Sequence, residues 1–210
     1  MPTTIVLADD HPIVRQGLKL LLERQGFEVV GEASDGLDAI ELAKRLRPDV
    51  AILDIVMPNL NGVACIGEIR KLSPQTKVIL LTMHAEEHQV LEALRAGAKG
   101  CVLKSQASEH LLHAIREVLN GGVYLSPSVS GAMVHAYVEK TGFPYDPLSN
   151  RERQVLQLVA EGKTTKEVAV ILGVAVKTAE SHRTRLMEKL DIHSVAGLVR
   201  YAVRHGVIQP

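Results

Sequence analysis

The stretch 50-VAILDIVMPNLNG-62 decides how this chain is read. Four apolar residues run without interruption into a carboxylate, Asp54, and a loop containing Met57-Pro58 and ending at Gly62 follows. A short apolar run closed by a turn reads as a strand buried on both faces. Working outward, similar runs stand at 4-TIVLA-8, 28-EVVGEA-33, 77-KVILL-81 and 99-KGCVL-103. Between and after them lie amphipathic stretches near 12–25, 36–47, 62–72, 86–95 and 107–120. Leu18, Leu21 and Leu22 mark the apolar stripe of the first; Leu111, Ile115, Val118 and Leu119 mark that of the last. Five strands alternating with five helices predict an α/β domain: a doubly wound, five-stranded parallel sheet with helices on both faces.

Such sheets build sites beyond the C-terminal ends of their strands. Here the first strand runs into Asp9-Asp10, the third into Asp54, the fourth into Thr82 and the fifth into Lys104. Taken singly, an Asp after a strand is usually a turn or cap residue, and a Thr or Lys is usually surface chemistry. Taken in order, they bring three carboxylates, a hydroxyl and an ammonium to one edge. Clustered carboxylates suit a hard cation such as Mg²⁺. A carboxylate can attack phosphorus to give an acyl phosphate. A metal and a lysine offset charge on the transferring group, and a threonine hydroxyl can donate to one of its oxygens.

Residues 4–120 resemble the receiver domain of two-component response regulators, through Asp9-Asp10, 53-LDIVMPNLNG-62, Thr82 and Lys104 in 100-GCVLK-104. The resemblance implies a flavodoxin-like fold, with Asp54 as the phosphoacceptor for a sensor histidine kinase. It implies that Mg²⁺ is held by Asp9, Asp10, Asp54 and the backbone carbonyl of Val56. It also implies that Thr82 and Lys104 bind the phosphoryl group, and that Gly62 shapes the loop through its freedom to adopt positive φ. Two positions depart from the family pattern. Cys101 stands where many receivers carry an aromatic residue that rotates on activation, and Ser105 stands where proline is common. With no aromatic ring, the switch must rest on Thr82 and backbone movement. Met83 beside the site is bulkier than usual and is expected to hinder water. His84 lacks a neighbouring ligand and is read as no metal ligand.

Beyond residue 147 the strand pattern ends. The segment 148-LSNRERQVLQLVAEG-162 opens on a capping box, Ser149 with Glu152, and closes on Gly162. A short helix, 165-TKEVAVILG-173, a turn at 174–176, a longer helix over 177–190 and a last helix near 194–205 follow. The pattern predicts an all-α, four-helix domain with a helix-turn-helix. Val176, Ala179, Leu186, Met187 and Leu190 fall on one arc of the third helix, and polar residues cover the other side. Set in a major groove, Glu180, Ser181 and Thr184 would read base edges. Lys166, Lys177, Thr178, His182 and Arg185 would contact phosphates. Arg183, at the edge of the apolar arc, is expected to form an internal ion pair with Glu152 or Glu167, with a DNA contact as the alternative. Residues 148–205 resemble the LuxR/FixJ-type DNA-binding domain through 148-LSNRERQVLQLVAEGKTTKEVA-169, Gly173, 177-KTAESHR-183 and 187-MEKLDIHS-194. The resemblance implies dimerisation through the last helix, at Val195, Leu198, Val199 and Ala202. Thr165 and Ala179 depart from the usual Asn and Val.

The domains are therefore placed at 1–120 and 148–210, joined by a linker over 121–147. Gly121-Gly122 would stop the helix before it, Val129 to Glu139 would form a short helix, and Gly142, Pro144 and Pro147 would form a loop. Net charge is zero over 24 basic and 24 acidic residues, but unevenly spread. Residues 1–120 carry 13 Lys and Arg against 16 Asp and Glu, and residues 148–210 carry 10 against 6. A mildly basic C-terminal domain is compatible with a polyanion. The acidic N-terminus does not read as an export signal, and Cys65 and Cys101 lack metal-ligand spacing. A cytoplasmic chain with free thiols is the expectation.

The combination predicts a phosphorylation-dependent transcription regulator of the NarL/FixJ type, and no enzyme. Its expected partners are double-stranded DNA, a sensor histidine kinase, a second copy of itself and RNA polymerase, with no membrane. The competing reading is a constitutive DNA binder whose receiver serves only as an interaction module. A hydrolase using Asp54 is disfavoured because no second acid/base set or phosphate-cradling glycine loop accompanies it.

Overall fold

A computed structural model of the protein describes residues 2–83, 87–138 and 148–208. The N-terminal part alternates β1 (Thr4–Ala8), α1 (Pro12–Arg24), β2 (Glu28–Ala33), α2 (Gly36–Leu46), β3 (Val50–Asp54), α3 (Gly62–Leu72), β4 (Lys77–Thr82), α4 (Glu87–Ala96), β5 (Gly100–Leu103) and α5 (Ala107–Leu119). Strand residues of alternating parity face opposite layers. Ile5, Leu7, Val50, Ile52, Ile79 and Leu81 pack with Leu18 and Leu22 of α1 and Leu111 and Ile115 of α5. Ala8, Ala51, Leu53, Val78 and Leu80 pack with α2, α3 and α4 through Ala39, Ile66, Ile69 and Ala93. Each fully buried Ile or Leu contributes about 1.5–3 kcal/mol, so this two-sided burial fixes the register. Ala8 lies opposite Leu53, Asp54 opposite Leu81 and Thr82 opposite Leu103, which aligns the strand ends along one edge.

Among the described residues the sheet has six strands, not five, in the order β2-β1-β3-β4-β5-β6, all parallel. The sixth, β6 (Tyr124–Leu125), falls in the stretch read as linker. After α5 the chain turns at Gly121 (φ 89°) and comes back along the open edge of β5. Tyr124 N–H donates to Lys99 O at 2.9 Å and Ser126 N–H to Cys101 O at 3.0 Å. Two residues are too few for a period-2 signal. A helix, α6 (Pro127–Val138), follows and packs on α4 and β5. Glu139, Gly142, Pro144, Pro147 and His84 lie outside the described residues. Cys101 is fully buried in the layer that also holds Val129 of α6, so the linker helix closes over the position where an aromatic switch residue would stand.

Gly62 is required for a different reason from the one expected. It does not adopt positive φ; within the loop that conformation falls on Asn59 (φ 65°). A Cβ on Gly62 would stand 2.2 Å from the carbonyl oxygen of Asp54. The glycine lets the start of α3 lie directly against the backbone of the acidic strand end.

The C-terminal part is helical: α7 (Asn150–Ala160), α8 (Thr165–Ile171), α9 (Val176–Leu190) and α10 (Val195–Arg204). Ser149 and Glu152 form the expected capping box, and a second one, Thr164 with Glu167, starts α8. Val155, Leu156, Val168, Ala179, Leu186, Leu198 and Ala202 build its core. In α7, seven of eleven residues are buried, including Glu152, Arg153 and Gln157. A helix buried nearly all round has two partners: one face of α7 meets α9 and α10, and another meets the N-terminal domain.

Gly62→Ala should cost about 1–3 kcal/mol by overpacking against rigid backbone. Gly67→Ala, at an α3 position with open space around it, should be neutral or stabilising by up to about 1 kcal/mol. Urea denaturation followed by circular dichroism checks this; equal midpoints for the two variants would refute the close approach.

Candidate functional site

The strand edge gathers the expected groups. Asp9 follows β1 and its side chain is wholly buried; Asp54 ends β3 with a side chain 3% exposed; Lys104 follows β5 at 5%. The Lys104 ammonium lies 2.6 Å from Asp54 Oδ2 and 2.8 Å from Asp9 Oδ2. It is the bridging cation between two buried carboxylates. Burial pushes the Asp54 carboxyl up to about 6; Lys104 pulls against that, and Asp9 and Asp10 reinforce it. Burial alone would lower Lys104, but Asp54 and Asp9 outweigh it and hold the ammonium above its usual range. Asp54 is thus an anion held at considerable electrostatic cost, a state suited to a nucleophile.

Asp9, Asp10, Asp54 and His11 offer ligand atoms all within 4.8 Å of one another. Among the described residues, the buried Asp9 Oδ2 and Asp10 Oδ1 have no neighbouring donor beyond the Lys104 ammonium at 2.8 Å and the His11 ring at 2.6 Å. Buried carboxylate oxygens left in that state fit a hard cation. His11 was not anticipated. Its Nδ1 lies 2.6 Å from Asp10 Oδ1, and its place directly after the acidic pair was the available signal. Thr82 ends β4 and is buried, at 4% exposure. Val56 lies half-buried just beyond the acceptor strand, and Met83 is 60% exposed. Val56, Asp10, Met57 and Asn59 line one wall of a cleft of about 470 Å³, and Glu161 and Lys163 of the helical domain line the other.

The second candidate surface is on α9 and the adjoining α8. Lys166, Lys177, Thr178, Glu180, Ser181, Thr184 and Arg185 are exposed, and His182 is half-buried. This face stays open although α7 is docked on the N-terminal domain. Arg183 forms neither of the ion pairs expected of it: its guanidinium donates to Thr165 Oγ1 at 3.4 Å, and Glu152 pairs with Lys189 at 2.7 Å. Lys189 reaches Glu152 because both stand at the α7–α9 contact, a geometry that helical spacing does not reveal. Of the residues expected on the dimerising helix, Val195 is 43% exposed and Val199 half-buried, but Leu198 and Ala202 are fully buried in the domain's own core. The period placed them on an apolar stripe without telling which side of α10 faces inward.

Sequence reasoning also missed a polar stripe on α7. Arg153, Gln157 and Glu161, at i, i+4 and i+8, all bind the N-terminal domain. Arg153 pairs with Glu92 of α4. Gln157 accepts from Asn61 N–H at 2.9 Å and donates to Met57 O at 2.8 Å. Glu161 accepts from Asn59 N–H at 3.3 Å. At the far end of α10, Gln89 of α4 donates to His205 O and Gly206 O at 3.1 and 3.2 Å. The signal available was one amide inside the apolar run 155-VLQLV-159.

Residues 5–116 match the family described as response regulator receiver domain, and residues 146–202 match bacterial regulatory proteins of the luxR family. The oxygen regulatory protein NreC of Staphylococcus carnosus is 39% identical over 97% of this chain and 98% of its own length. The transcriptional regulatory protein MctR of Rhizobium johnstonii is 38% identical over 97% and 94%. Among solved structures, RcsB of Salmonella enterica serovar Typhimurium, bound to promoter P1flhDC with the phosphomimetic BeF3-, is 31% identical with a TM-score of 0.68. The match covers 96% of this chain and 98% of that one. A LuxR-family two-component response regulator from Aurantimonas is 34% identical with a TM-score of 0.63, over 66% of this chain and 99% of that one. No helix among the described residues is long and apolar enough to cross a membrane.

Glu152 gives this domain a pH signature. Burial would raise its carboxyl, but hydrogen bonds from Lys189 and Ser149 outweigh that and hold it at about 2, against 4.5 for an ordinary glutamate. A depressed folded-state value stabilises the fold fully above about 4.5, and that stability is lost as pH falls towards about 2. Glu152→Gln should destabilise the helical domain by roughly 1–2 kcal/mol at neutral pH. The gap between variant and wild type should narrow as pH falls through that window. Denaturation midpoints compared at pH 6 and pH 3 check this; a gap of constant size would contradict it.

Proposed function

The chain belongs to the two-component response regulators that join a receiver domain to a LuxR-type DNA-binding domain, and from that premise we propose that Asp54 accepts the phosphoryl group. The observation that carries this is the buried Asp54 carboxylate, bridged to Asp9 by Lys104 beside an under-bonded acidic cluster. Asp54 attacks phosphorus and the donor's bond to phosphorus breaks (P–N in a phosphohistidine, P–O in acetyl phosphate), leaving an acyl phosphate on Oδ. Lys104 is placed to exchange its contact with Asp54 for one with a phosphoryl oxygen, and the Thr82 hydroxyl donates to another. Asp9, Asp10, Asp54 and the Val56 carbonyl would hold Mg²⁺. Bound there, it supplies positive charge against the phosphoryl oxygens. The phosphodonor is a sensor histidine kinase, and the protein works in the cytoplasm.

Output is DNA binding by a pair of chains. Lys177, Thr178, His182, Arg185 and Lys166 hold phosphates, and Glu180, Ser181 and Thr184 read bases. Val195, exposed, and Val199, half-buried, are the part of the α10 stripe outside the domain's own core and supply the dimer contact. The receiver holds the far end of α10 through Gln89, so phosphorylation acts by shifting the docked and undocked populations. RNA polymerase is the partner through which a bound pair changes transcription. Constitutive DNA binding is a second reading, favoured by one observation: the α9 face is already exposed with the domains docked.

Acetyl phosphate with Mg²⁺ should add one phosphoryl group to the wild type and none to Asp54→Asn, read by intact mass. No gain on the wild type would favour the second reading. Lys177→Ala should weaken binding to every duplex and reduce the salt slope by about 1, whereas Glu180→Ala should mainly relax base preference. Unchanged affinity and slope in Lys177→Ala would displace α9 from the groove.

A further inference from the structure

We propose that Gln157, in the DNA-binding domain, is a positioning residue for phosphorylation of the receiver. Through it, the docked DNA-binding domain restrains the reaction at Asp54. The inference rests on Asp54 being the phosphoacceptor.

Gln157 is 1% exposed and its amide is committed on both sides. The oxygen accepts from Asn61 N–H, and the nitrogen donates to Met57 O and to Glu161 Oε1, both at 2.8 Å. Glu161 in turn accepts from Asn59 N–H. The loop 57–61, four residues long beyond Met57, is thereby held at both ends and in its middle by one turn of α7.

Nothing slack lies between that clamp and the acceptor. Asn61 caps α3 through its side chain, accepting from Ala64 N–H at 2.9 Å. The next residue, Gly62, donates to Ile55 O at 2.8 Å and lies against the Asp54 carbonyl so closely that no Cβ fits. A displacement of the Asp54–Val56 backbone must therefore move Asn61, and moving Asn61 breaks its bond to Gln157. Interfaces of this kind are bistable, because polar bonds are either made or lost.

The sign of the effect is set by access and by restraint of the loop. The docked wall adds little net charge to the acidic site, since Glu161 and Lys163 stand on it together, but it holds the loop through the bond from Asn59 N–H to Glu161. The same turn of α7 walls the cleft beside Asp10 and Val56. Docking thus opposes the reaction. By linkage, whatever undocks α7 favours it to the same degree in binding terms.

The intact two-domain chain is tested with acetyl phosphate and Mg²⁺, comparing wild type, Gln157→Met and Glu161→Gln. Gln157→Met keeps the volume and removes both loop bonds. Phosphoryl gain, read by intact mass, should accelerate roughly five-fold or more in Gln157→Met and less in Glu161→Gln. The Asn59 and Asn61 amides should also exchange faster with solvent. Unchanged rates and unchanged Asn61 protection in Gln157→Met would overturn the proposal. If Gln157→Met does not fold, an unchanged rate in Glu161→Gln overturns it equally. A wild type that gains no phosphoryl group overturns the reading of Asp54 itself, whereas a reactive wild type matched by both variants overturns only the role of Gln157.

Discussion

A single buried ammonium governs the arrangement of this molecule. Lys104 reaches the C-terminal edge of the sheet and meets two carboxylates, Asp9 and Asp54, that come from strands far apart in the sequence. Without that cation the edge would hold two nearly solvent-free anions, a cost that burial in a low dielectric makes severe. The strands can end on acids because β5 ends on a base. The register that aligns Ala8, Leu53, Leu80 and Cys101 in neighbouring strands is what makes the compensation possible.

That constraint propagates outward through close contacts. The chain leaving Asp54 can turn only where Gly62 lets α3 lie on its carbonyl. The loop so formed exposes the amides of Asn59 and Asn61 and the carbonyl of Met57, which a helix of the other domain completes. On the other side of the sheet edge, β6 and α6 close over β5 and enclose Cys101. Cys101 is fully buried in the cluster that β6 and α6 help to close, so a small side chain suits the packing found here.

Much of this was legible before the structure. The strand-end residues Asp9, Asp10, Asp54, Thr82 and Lys104 could be read because burial on both faces leaves a long apolar run and a polar stop, a strong local pattern. The exposed residues of α9 could be read from helical period alone. What escaped reading has one physical cause: it depends on which surface meets which. Gln157 is invisible to a period that assumes one buried face, since α7 has two. Leu198 and Ala202 sit on an apolar stripe whether it faces a core or a partner. The strand Tyr124–Leu125 exists because β5 offers it an open edge, not because two residues announce it.

The stripe on α7 has a consequence for how the two domains can part. Arg153, Gln157 and Glu161 join the receiver through hydrogen bonds and an ion pair, and water can replace each of those partners on separation. Had the same positions been leucines, the freed helix would present an oily ridge that invites aggregation. A wettable seam lets the domains come apart and rejoin repeatedly without either becoming insoluble, at the cost of being loosened by changes of only a few bonds.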